Sequence, residues 1–144
     1  MRTTRQVTAA LYDAFLAGDK DGMLAVMHED VEIRFLGQAH LRGKEAASRF
    51  IDFSAGLLED VRFSLLQVLV DGDRAASVWE ERARTRDGHP WRNHGVDVVH
   101  VRDGLVVALH ENNDVRHVYR YLPPYNPGSQ PASGQAHSQG ERDE

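Results

Sequence analysis

The stretch that decides the fold is HGVDVVHVRDGLVVALHENND, residues 94–114. Apolar and polar side chains alternate on both sides of Asp103 and Gly104, which is the pattern of two half-buried β-strands. Asp-Gly between extended runs favours a type I′ turn, because that turn needs positive φ at both central residues. These residues therefore predict an antiparallel hairpin, with strands over about 89–101 and 105–115.

The same period of two continues upstream to residue 61 and predicts two more strands, over about 61–70 and 74–86. Asp71-Gly72-Asp73 separates these two strands from each other, and Asp87-Gly88 separates the second of them from the strand that follows. Short turns of this composition join antiparallel neighbours, so the back half of the chain is predicted to be a four-stranded meander.

The front half has helical spacing instead. Apolar residues recur at intervals of three and four over residues 4–17, with Thr3 or Thr4 as the N-cap. Gly18 ends that helix, Asp19 caps a second one, and Gly43 opens a third that runs to about residue 58. Residues 31–36 (VEIRFL) predict a short strand and residues 37–43 a loop, so the fold class is α+β with about three N-terminal helices.

Composition limits the function. The chain has 144 residues, 41% of them hydrophobic, a net charge of −5 and no cysteine. The negative charge argues against a nucleic-acid or anionic-membrane binder, and the lack of cysteine excludes disulfides, thiolate nucleophiles and Cys-based metal sites. The N-terminus has no long apolar stretch, which indicates a cytoplasmic protein. Residues 1–122 are predicted to form one domain, and the Pro/Gly/Ser/Gln-rich residues 123–144 a disordered tail.

The two Asp-Gly turns also predict a register for the sheet. If both are two-residue loops, Arg86 pairs with His89 and Arg102 pairs with Leu105. Asp97, Val99 and Val106 then share the outer face with Val78. The inner face, which we expect the helices to cover, carries a mixture of apolar and polar side chains: Ser77, Trp79, Glu81, His94, Val96, Leu109, Glu111 and Asn113.

Two carboxylates beside an imidazole on an inward face suggest proton-transfer chemistry. On this hypothesis Glu111 is the base, His94 is a proton shuttle, and Glu81 orients His94. The alternative is a surface ion pair at the end of the sheet, with no catalytic role. The remaining candidates are substrate-binding residues: Tyr12, Phe35, Trp79, Val96, Leu109 and Asn113. Tyr12 and Asn113 would donate hydrogen bonds to the substrate, and some of the others would form the walls of the pocket.

Residues 12–35 (YDAFLAGDKDGMLAVMHEDVEIRF), residues 41–43 (LRG) and residues 94–114 carry a resemblance to a known group. They resemble the SnoaL-like branch of the nuclear-transport-factor-2-like superfamily, which includes polyketide cyclases, ketosteroid isomerases and limonene-epoxide hydrolases. The resemblance implies a conical barrel, in which a curved and mainly antiparallel sheet wraps around the helices and encloses an apolar pocket. It also implies a homodimer formed through the outer sheet face.

The resemblance assigns some positions and leaves others without their usual residue. Glu111 stands where the cyclases and hydrolases have an acidic residue on the last strand, and Asp114 matches a second acidic position. Trp79 and Glu81 stand where the hydrolases have an Arg and an Asp, so the arginine is absent. Arg34 and Phe35 occupy the region of the isomerase base, so that base is absent too.

The sequence therefore predicts a cofactor-independent enzyme that transfers protons on a small, apolar, oxygenated substrate, cyclic or polyketide-like. Cyclisation, isomerisation and dehydration all fit this description, and epoxide hydrolysis fits it less well. The alternative is a non-catalytic binding or dimerisation module with the same fold. The histidines are scattered between the two faces, so we expect no metal, and we expect no nucleic-acid or membrane partner.

Overall fold

A computed structural model of the protein describes residues 1–127, so predictions about residues 128–144 lie outside the described part of the chain. The described residues form four helices and six strands. In chain order they are α1 Thr4–Leu16, α2 Lys20–Ala25, β1 Met27–Phe35, β2 Ala39–Arg42, α3 Lys44–Ala55, β3 Leu58–Asp71, β4 Arg74–Thr85, β5 Pro90–Arg102, β6 Leu105–Asn113 and α4 Val115–Tyr121.

Capping residues set the ends of the first two helices. Thr3 caps α1, and a reciprocal bond from its backbone N–H to the side chain of Gln6 completes a capping box. Gly18 follows α1 with φ of +67°, a conformation that glycine adopts without steric cost. Asp19 caps α2 through the N–H of Gly22. The predicted N-caps of both helices and the end of α1 before Gly18 are confirmed.

All six strands belong to one sheet, in the order β2-β1-β6-β5-β4-β3. Every pair is antiparallel except β1 with β6, which run parallel. The α+β prediction is confirmed, and the sheet is not closed into a complete barrel, because β2 and β3 are its two edges. The segment predicted as a loop, 37–43, contains the short strand β2.

Two apolar clusters fill the space between the helices and the sheet. One joins α1 and α2 to the middle of the sheet through Val7, Met27, Val31, Val99 and Val106, each of them at most 1% exposed. The other gathers Phe50, Phe53 and Leu57 with Phe35 and Tyr125.

Tyr125 falls within the predicted tail, yet its ring centre lies 5.1 Å from that of Phe50 and 5.0 Å from that of Phe53. The segment just after the predicted domain boundary therefore contributes to the second apolar cluster. The disorder predicted for the rest of the tail concerns residues outside the described part.

The predicted register of β4 with β5 is wrong by one residue. Thr85, not Arg86, closes the turn: its N–H donates to the carbonyl of His89 (2.9 Å), and its hydroxyl accepts from the N–H of His89 (2.9 Å). Arg86 leaves the ladder and donates to the carbonyl of Gly56. Gly88 has positive φ and Asp87 does not, so the loop is a three-residue turn rather than a type I′ turn.

The predicted turn between β5 and β6 is present, with positive φ at Asp103 and Gly104 and with Arg102 opposite Leu105. Beyond it, a bulge shifts the register, so that Val101 faces Val106 while His100 faces Ala108. The two one-residue differences add up to a shift of two residues between β4 and β6, which keeps the predicted inward faces of β4 and of β6 from Leu109 onward. They reverse β5, because a slip of one residue moves every side chain to the opposite face.

The chain after β6 forms α4, which the sequence analysis did not predict. Asp114, the second acidic position of the resemblance, caps this helix through the N–H of Arg116. Val118 is buried, and a Cβ added to Gly37 would lie 3.2 Å from its Cγ1. α4 thus packs against the β1–β2 turn.

Candidate active site

A group of polar side chains lies on the inner face of β4, β5 and β6. The register places Ser77 beside Asp97 and Asp97 beside Glu111, and it places Glu111 beside Phe35 of β1. Tyr12 reaches the same group from α1. Ionisable groups in such a position are costly unless they are bonded, neutral or reached by a ligand.

Asp97 is the most completely bonded member of the group. Its Oδ2 accepts from the hydroxyl of Tyr12, and its Oδ1 accepts from the indole Nε1 of Trp79 at 2.8 Å. The residue is 5% exposed. Burial raises the pKa of Asp97 to about 6, although the hydrogen bonds from Tyr12 and Trp79 favour the charged form.

Glu111 lies directly opposite Asp97 and has a different environment. No side chain of the described residues donates a hydrogen bond to it or forms an ion pair with it. Burial raises the pKa of Glu111 well above its usual value, and repulsion from Asp97 and Glu81 raises it further. Glu111 is nevertheless partly accessible to solvent.

Tyr12 and Trp79 are held in place by aromatic packing. Phe63 of β3 stacks on both rings, with its ring centre 6.3 Å from Tyr12 and 5.4 Å from Trp79. Burial, followed by the charge of Asp97, raises the pKa of Tyr12, so its hydroxyl stays a neutral donor. This aromatic group orients the two donors toward Asp97.

Gly95 makes room for the indole of Trp79. A Cβ at position 95 would lie 2.8 Å from Cζ2 of Trp79 and 2.0 Å from the carbonyl oxygen of Asn112. Any larger residue would therefore have to displace the ring that donates to Asp97. Gly95 supports the site although it carries no functional group.

Glu81 lies further along β4, opposite Asn93 of β5, and it is also on the inner face as predicted. Its Oε1 accepts from the indole Nε1 of Trp91 at 2.9 Å. Burial raises the pKa of Glu81, and the bond from Trp91 opposes that rise. The ring of His117 packs against Trp91, with the ring centres 5.7 Å apart.

Two predicted site residues are not at the site. His94 and Val96 lie on the outer face of β5, opposite Glu80 and Val78, because β5 is reversed relative to the prediction. Glu81 therefore orients Trp91 rather than His94. The same reversal places Val99 inside the fold, and the bulge places Val106 inside with it, so neither belongs to the outer face to which the prediction assigned it.

The other predicted binding residues lie on the inner side. Leu109 and Phe35 flank Glu111, and Phe35 makes an edge-to-face contact with Phe50 at 5.4 Å. Two predicted hydrogen-bond donors are already engaged. The hydroxyl of Tyr12 bonds to Asp97, and Nδ2 of Asn113 donates to the carbonyl of Leu36 at 3.1 Å.

Asp97 is the member of the candidate site that the sequence reasoning missed, since it was assigned to the outer face. The apolar pattern of β5 indicated its inner face. Trp91, Val99 and Val101 occupy every second position in phase with Asp97, so they share its face, and all of them are at most 5% exposed.

Among residues 1–127, no group of three or more acidic or histidine side chains is arranged to hold a metal ion. No helix in that range is long and apolar enough to cross a membrane.

Several solved structures share the fold of this chain. An NTF2-like protein of unknown function from Burkholderia pseudomallei K96243 is 20% identical, with a TM-score of 0.76 over 85% of this chain and 98% of that chain. A candidate polyketide cyclase from Pseudomonas putida KT2440 is 19% identical, with a TM-score of 0.69 over 85% and 100% of the two chains. TerC, crystallised with polyporic acid, is 19% identical, with a TM-score of 0.72 over 82% and 96%.

At these identities the likeness shows the fold alone. No curated protein sequence matches the chain significantly. The sequence profile of the SnoaL-like domain, however, matches residues 8–109, which is most of the chain and includes α1 and most of the sheet. The chain, with its NTF2-like fold and its inner-face site, therefore belongs to the SnoaL-like domain family.

Proposed function

We propose that the protein is a cofactor-independent enzyme that transfers protons on a small, apolar, oxygenated substrate, cyclic or polyketide-like, by cyclisation, isomerisation or dehydration. The observation that carries the proposal is Glu111, a deep, unbonded and partly accessible carboxyl group between the apolar side chains of Leu109 and Phe35. A carboxyl in such surroundings keeps its proton to a higher pH than an exposed one, and shifted carboxyl groups of this kind are suited to general acid–base catalysis.

Glu81 supplies a second carboxyl group on the inner face, further along β4. It is partly accessible, and the indole N–H of Trp91 holds one of its oxygens, which leaves the other free to meet a ligand. Two carboxyl groups at different depths allow one to give a proton while the other takes one. We therefore assign the proton transfer to Glu111 and Glu81, without His94.

The relatives support the class of substrate. TerC was crystallised with polyporic acid, and the Pseudomonas putida neighbour is a candidate polyketide cyclase. The partly exposed aromatic side chains of Phe63 and Phe35 on the inner side offer surfaces on which a planar cyclic ligand can stack. A cyclic ketone or polyketide-like ligand suits this interior.

Hydrogen–deuterium exchange at the carbon next to a carbonyl tests the proposal without knowledge of the natural substrate. The probes are cyclohexanone, β-tetralone and dimedone in D₂O, with deuterium incorporation followed by NMR. We expect the wild-type protein to accelerate exchange of at least one probe. The Glu111→Gln variant should slow it by about 100-fold or more, the usual contribution of a general acid or base.

Glu32→Gln is the matched control, because Glu32 is a partly exposed glutamate on the outer face of β1, a neighbour of β6. It should exchange the probes at the wild-type rate. Equal rates for wild type and Glu111→Gln would remove Glu111 from the mechanism. Saturable binding of the probes with no exchange would favour the non-catalytic binding module.

A second candidate function, association into a homodimer, rests on the outer face of the sheet. Leu66, Leu69 and Val96 are 58%, 53% and 37% exposed there. A hollow of about 190 Å³ lies beside Leu69 and Val98. Exposed apolar side chains on a sheet face are typical of association surfaces. We propose that a second copy of the chain covers this face.

Sedimentation velocity tests the dimer. The Leu69→Glu variant should dissociate the protein into monomers while its circular dichroism spectrum stays unchanged. Wild-type protein that sediments as a monomer at tens of micromolar would contradict the proposal.

The cytoplasmic location expected from the sequence stays a prediction.

A further inference from the structure

Asp97 and Glu111 form a carboxyl pair with no cation between them. They are directly opposite each other on neighbouring antiparallel strands, and such partners have Cβ atoms about 5 Å apart. Two negative charges at that separation in a buried place oppose each other's ionisation. Ionisation of one member therefore hinders ionisation of the other, and the pair titrates as a unit.

The hydrogen bonds around the pair are unequal, and this inequality decides which member is charged. Both oxygens of Asp97 accept hydrogen bonds, from Tyr12 and from Trp79, and hydrogen bonds of this kind stabilise a carboxylate. Glu111 receives none from the described side chains. Donors in fixed positions thus favour negative charge on Asp97 and leave Glu111 as the better place for the proton.

We propose that Asp97 is a positioning residue that keeps the negative charge of this pair, so that Glu111 meets the substrate as a protonated acid rather than as a base. The proposal rests on the proposed function and makes it more specific. It also changes the role that the sequence suggested for Glu111. Asp97 itself is buried behind Tyr12 and Trp79 and does not have to touch the substrate.

The direction of the pKa shifts agrees with the hydrogen bonds. The pKa of Asp97 is about 6, so Asp97 is mostly ionised at pH 7, whereas burial and the charge of Asp97 raise the pKa of Glu111 well above its usual value. The other titratable groups that face the pair are Tyr12 of α1 and Glu81 of β4. Phe35 of β1, on the far side of Glu111, does not titrate.

This arrangement assigns a direction to each proton in an enolisation. The proton on the carbon next to the carbonyl passes to the carboxylate of Glu81, the electron pair of that C–H bond forms the carbon–carbon double bond of the enol, and the π pair of the carbonyl moves to its oxygen. The oxygen takes the proton of Glu111, which becomes a carboxylate. Return of both protons at the end of the reaction restores the starting state, and no further reactant is consumed.

Carbon-13 NMR of protein labelled at the Asp and Glu side-chain carboxyl carbons tests the proposal directly, because the chemical shift reports the protonation of each carboxyl. In the wild type, Glu111 should be protonated and Asp97 ionised at pH 7. In Asp97→Asn, the midpoint of Glu111 should fall by about one pH unit or more, since a nearby like charge has been removed. An unchanged midpoint in the folded variant, or a wild type with the proton on Asp97, would overturn the proposal.

Trp79→Phe is a second variant that keeps an aromatic ring in place and removes one donor from Asp97. It should raise the midpoint of Asp97 and lower that of Glu111, and circular dichroism checks that it folds. Its matched control is Trp91→Phe, which removes a donor from Glu81 instead. A Glu111 midpoint that moves equally in both variants would show a general packing effect and overturn the proposal.

These titrations contain no substrate, so they separate this inference from the proposed function. If the titrations are as expected but no probe ketone exchanges, then the enzyme assignment fails while the role of Asp97 stands. If exchange occurs, its rate should fall as the pH rises through the Glu111 midpoint, because the acid must be protonated. A rate that rises through that midpoint would make Glu111 a base and overturn the inference.

Discussion

Glu111 and Glu32 are two glutamates on neighbouring strands of one sheet, and they differ in almost every electrostatic respect. Glu32 of β1 faces outward, where its oxygens lie 2.6 Å from Nε2 of His110 and 3.1 Å from a guanidinium nitrogen of Arg42. The hydrogen bond from His110 lowers the pKa of Glu32. Glu111 of β6 faces inward without a bonding partner, and burial raises its pKa.

The difference shows that the face of the sheet, not the residue type, sets the chemistry of a carboxyl group. On the outer face, water and flexible cationic side chains stabilise the charge of Glu32. On the inner face, burial removes much of the water around Glu111, and the charged groups that raise its pKa are two more carboxyl groups. Only the inner glutamate is therefore prepared for proton transfer, and at a cost in stability.

The largest effect that tests this comparison is the dependence of stability on pH. Because the folded-state pKa of Glu111 is raised, wild-type stability should fall as the pH rises above about 4.5, its unfolded value. Asp97 adds up to about 3 kcal/mol of loss between its unfolded value of 3.8 and about 6. Glu111→Gln should match the wild type near pH 4 and be more stable by about 1 kcal/mol or more at pH 8.

Urea denaturation at pH 4, 6 and 8 measures both curves. Glu111→Gln that loses stability with rising pH as steeply as the wild type would show that folding does not raise the pKa of Glu111. Such a result would remove the contrast with Glu32.

The smaller effect concerns the outer glutamate and has the opposite sign. A lowered pKa means that the ion pairs of Glu32 contribute stability above pH 4.5, and that this contribution is lost as the pH falls through the folded pKa. Glu32→Gln should be slightly less stable than the wild type at pH 7 and equal to it at pH 3. The difference should shrink in 1 M salt, because exposed charges are screened.

The same denaturation curves, repeated with and without salt, check this expectation. A destabilisation by Glu32→Gln that persists in salt would mean that Glu32 acts through packing rather than through charge. The outer face would then be less different from the inner one than the structure indicates.

Much of the fold could be predicted from local sequence. Thr3 and Asp19 cap helices, Gly18 ends one, and Asp103-Gly104 closes a type I′ turn, all as expected from their short-range preferences. Helix α4 was missed because its seven residues follow a strand with no break in composition and pack against a turn that is distant in sequence. Short helices depend on such contacts more than on propensity.

The candidate site could be predicted only in part, because it depends on register. The dipeptide Asp-Gly occurs at both hairpins, yet it forms a two-residue turn at 103–104 and part of a three-residue turn at 86–88. The hydroxyl of Thr85 and the contact of Arg86 with Gly56 stabilise the longer loop. Neither interaction follows from the dipeptide, so His94 was placed inside and Asp97 outside.

The sequence by itself determined all the elements except β2 and α4, their order, the inward faces of β4 and most of β6, and the resemblance to the family, because periodicity, caps and turn residues act over a few positions. The tertiary structure alone decided which face of β5 is buried, and with it the pairing of Asp97 with Glu111. A one-residue change in a loop or a bulge costs little locally but reverses a whole strand. The protonation states at the site follow from that reversal, because burial and unlike hydrogen bonding act on groups that only the folded chain brings together.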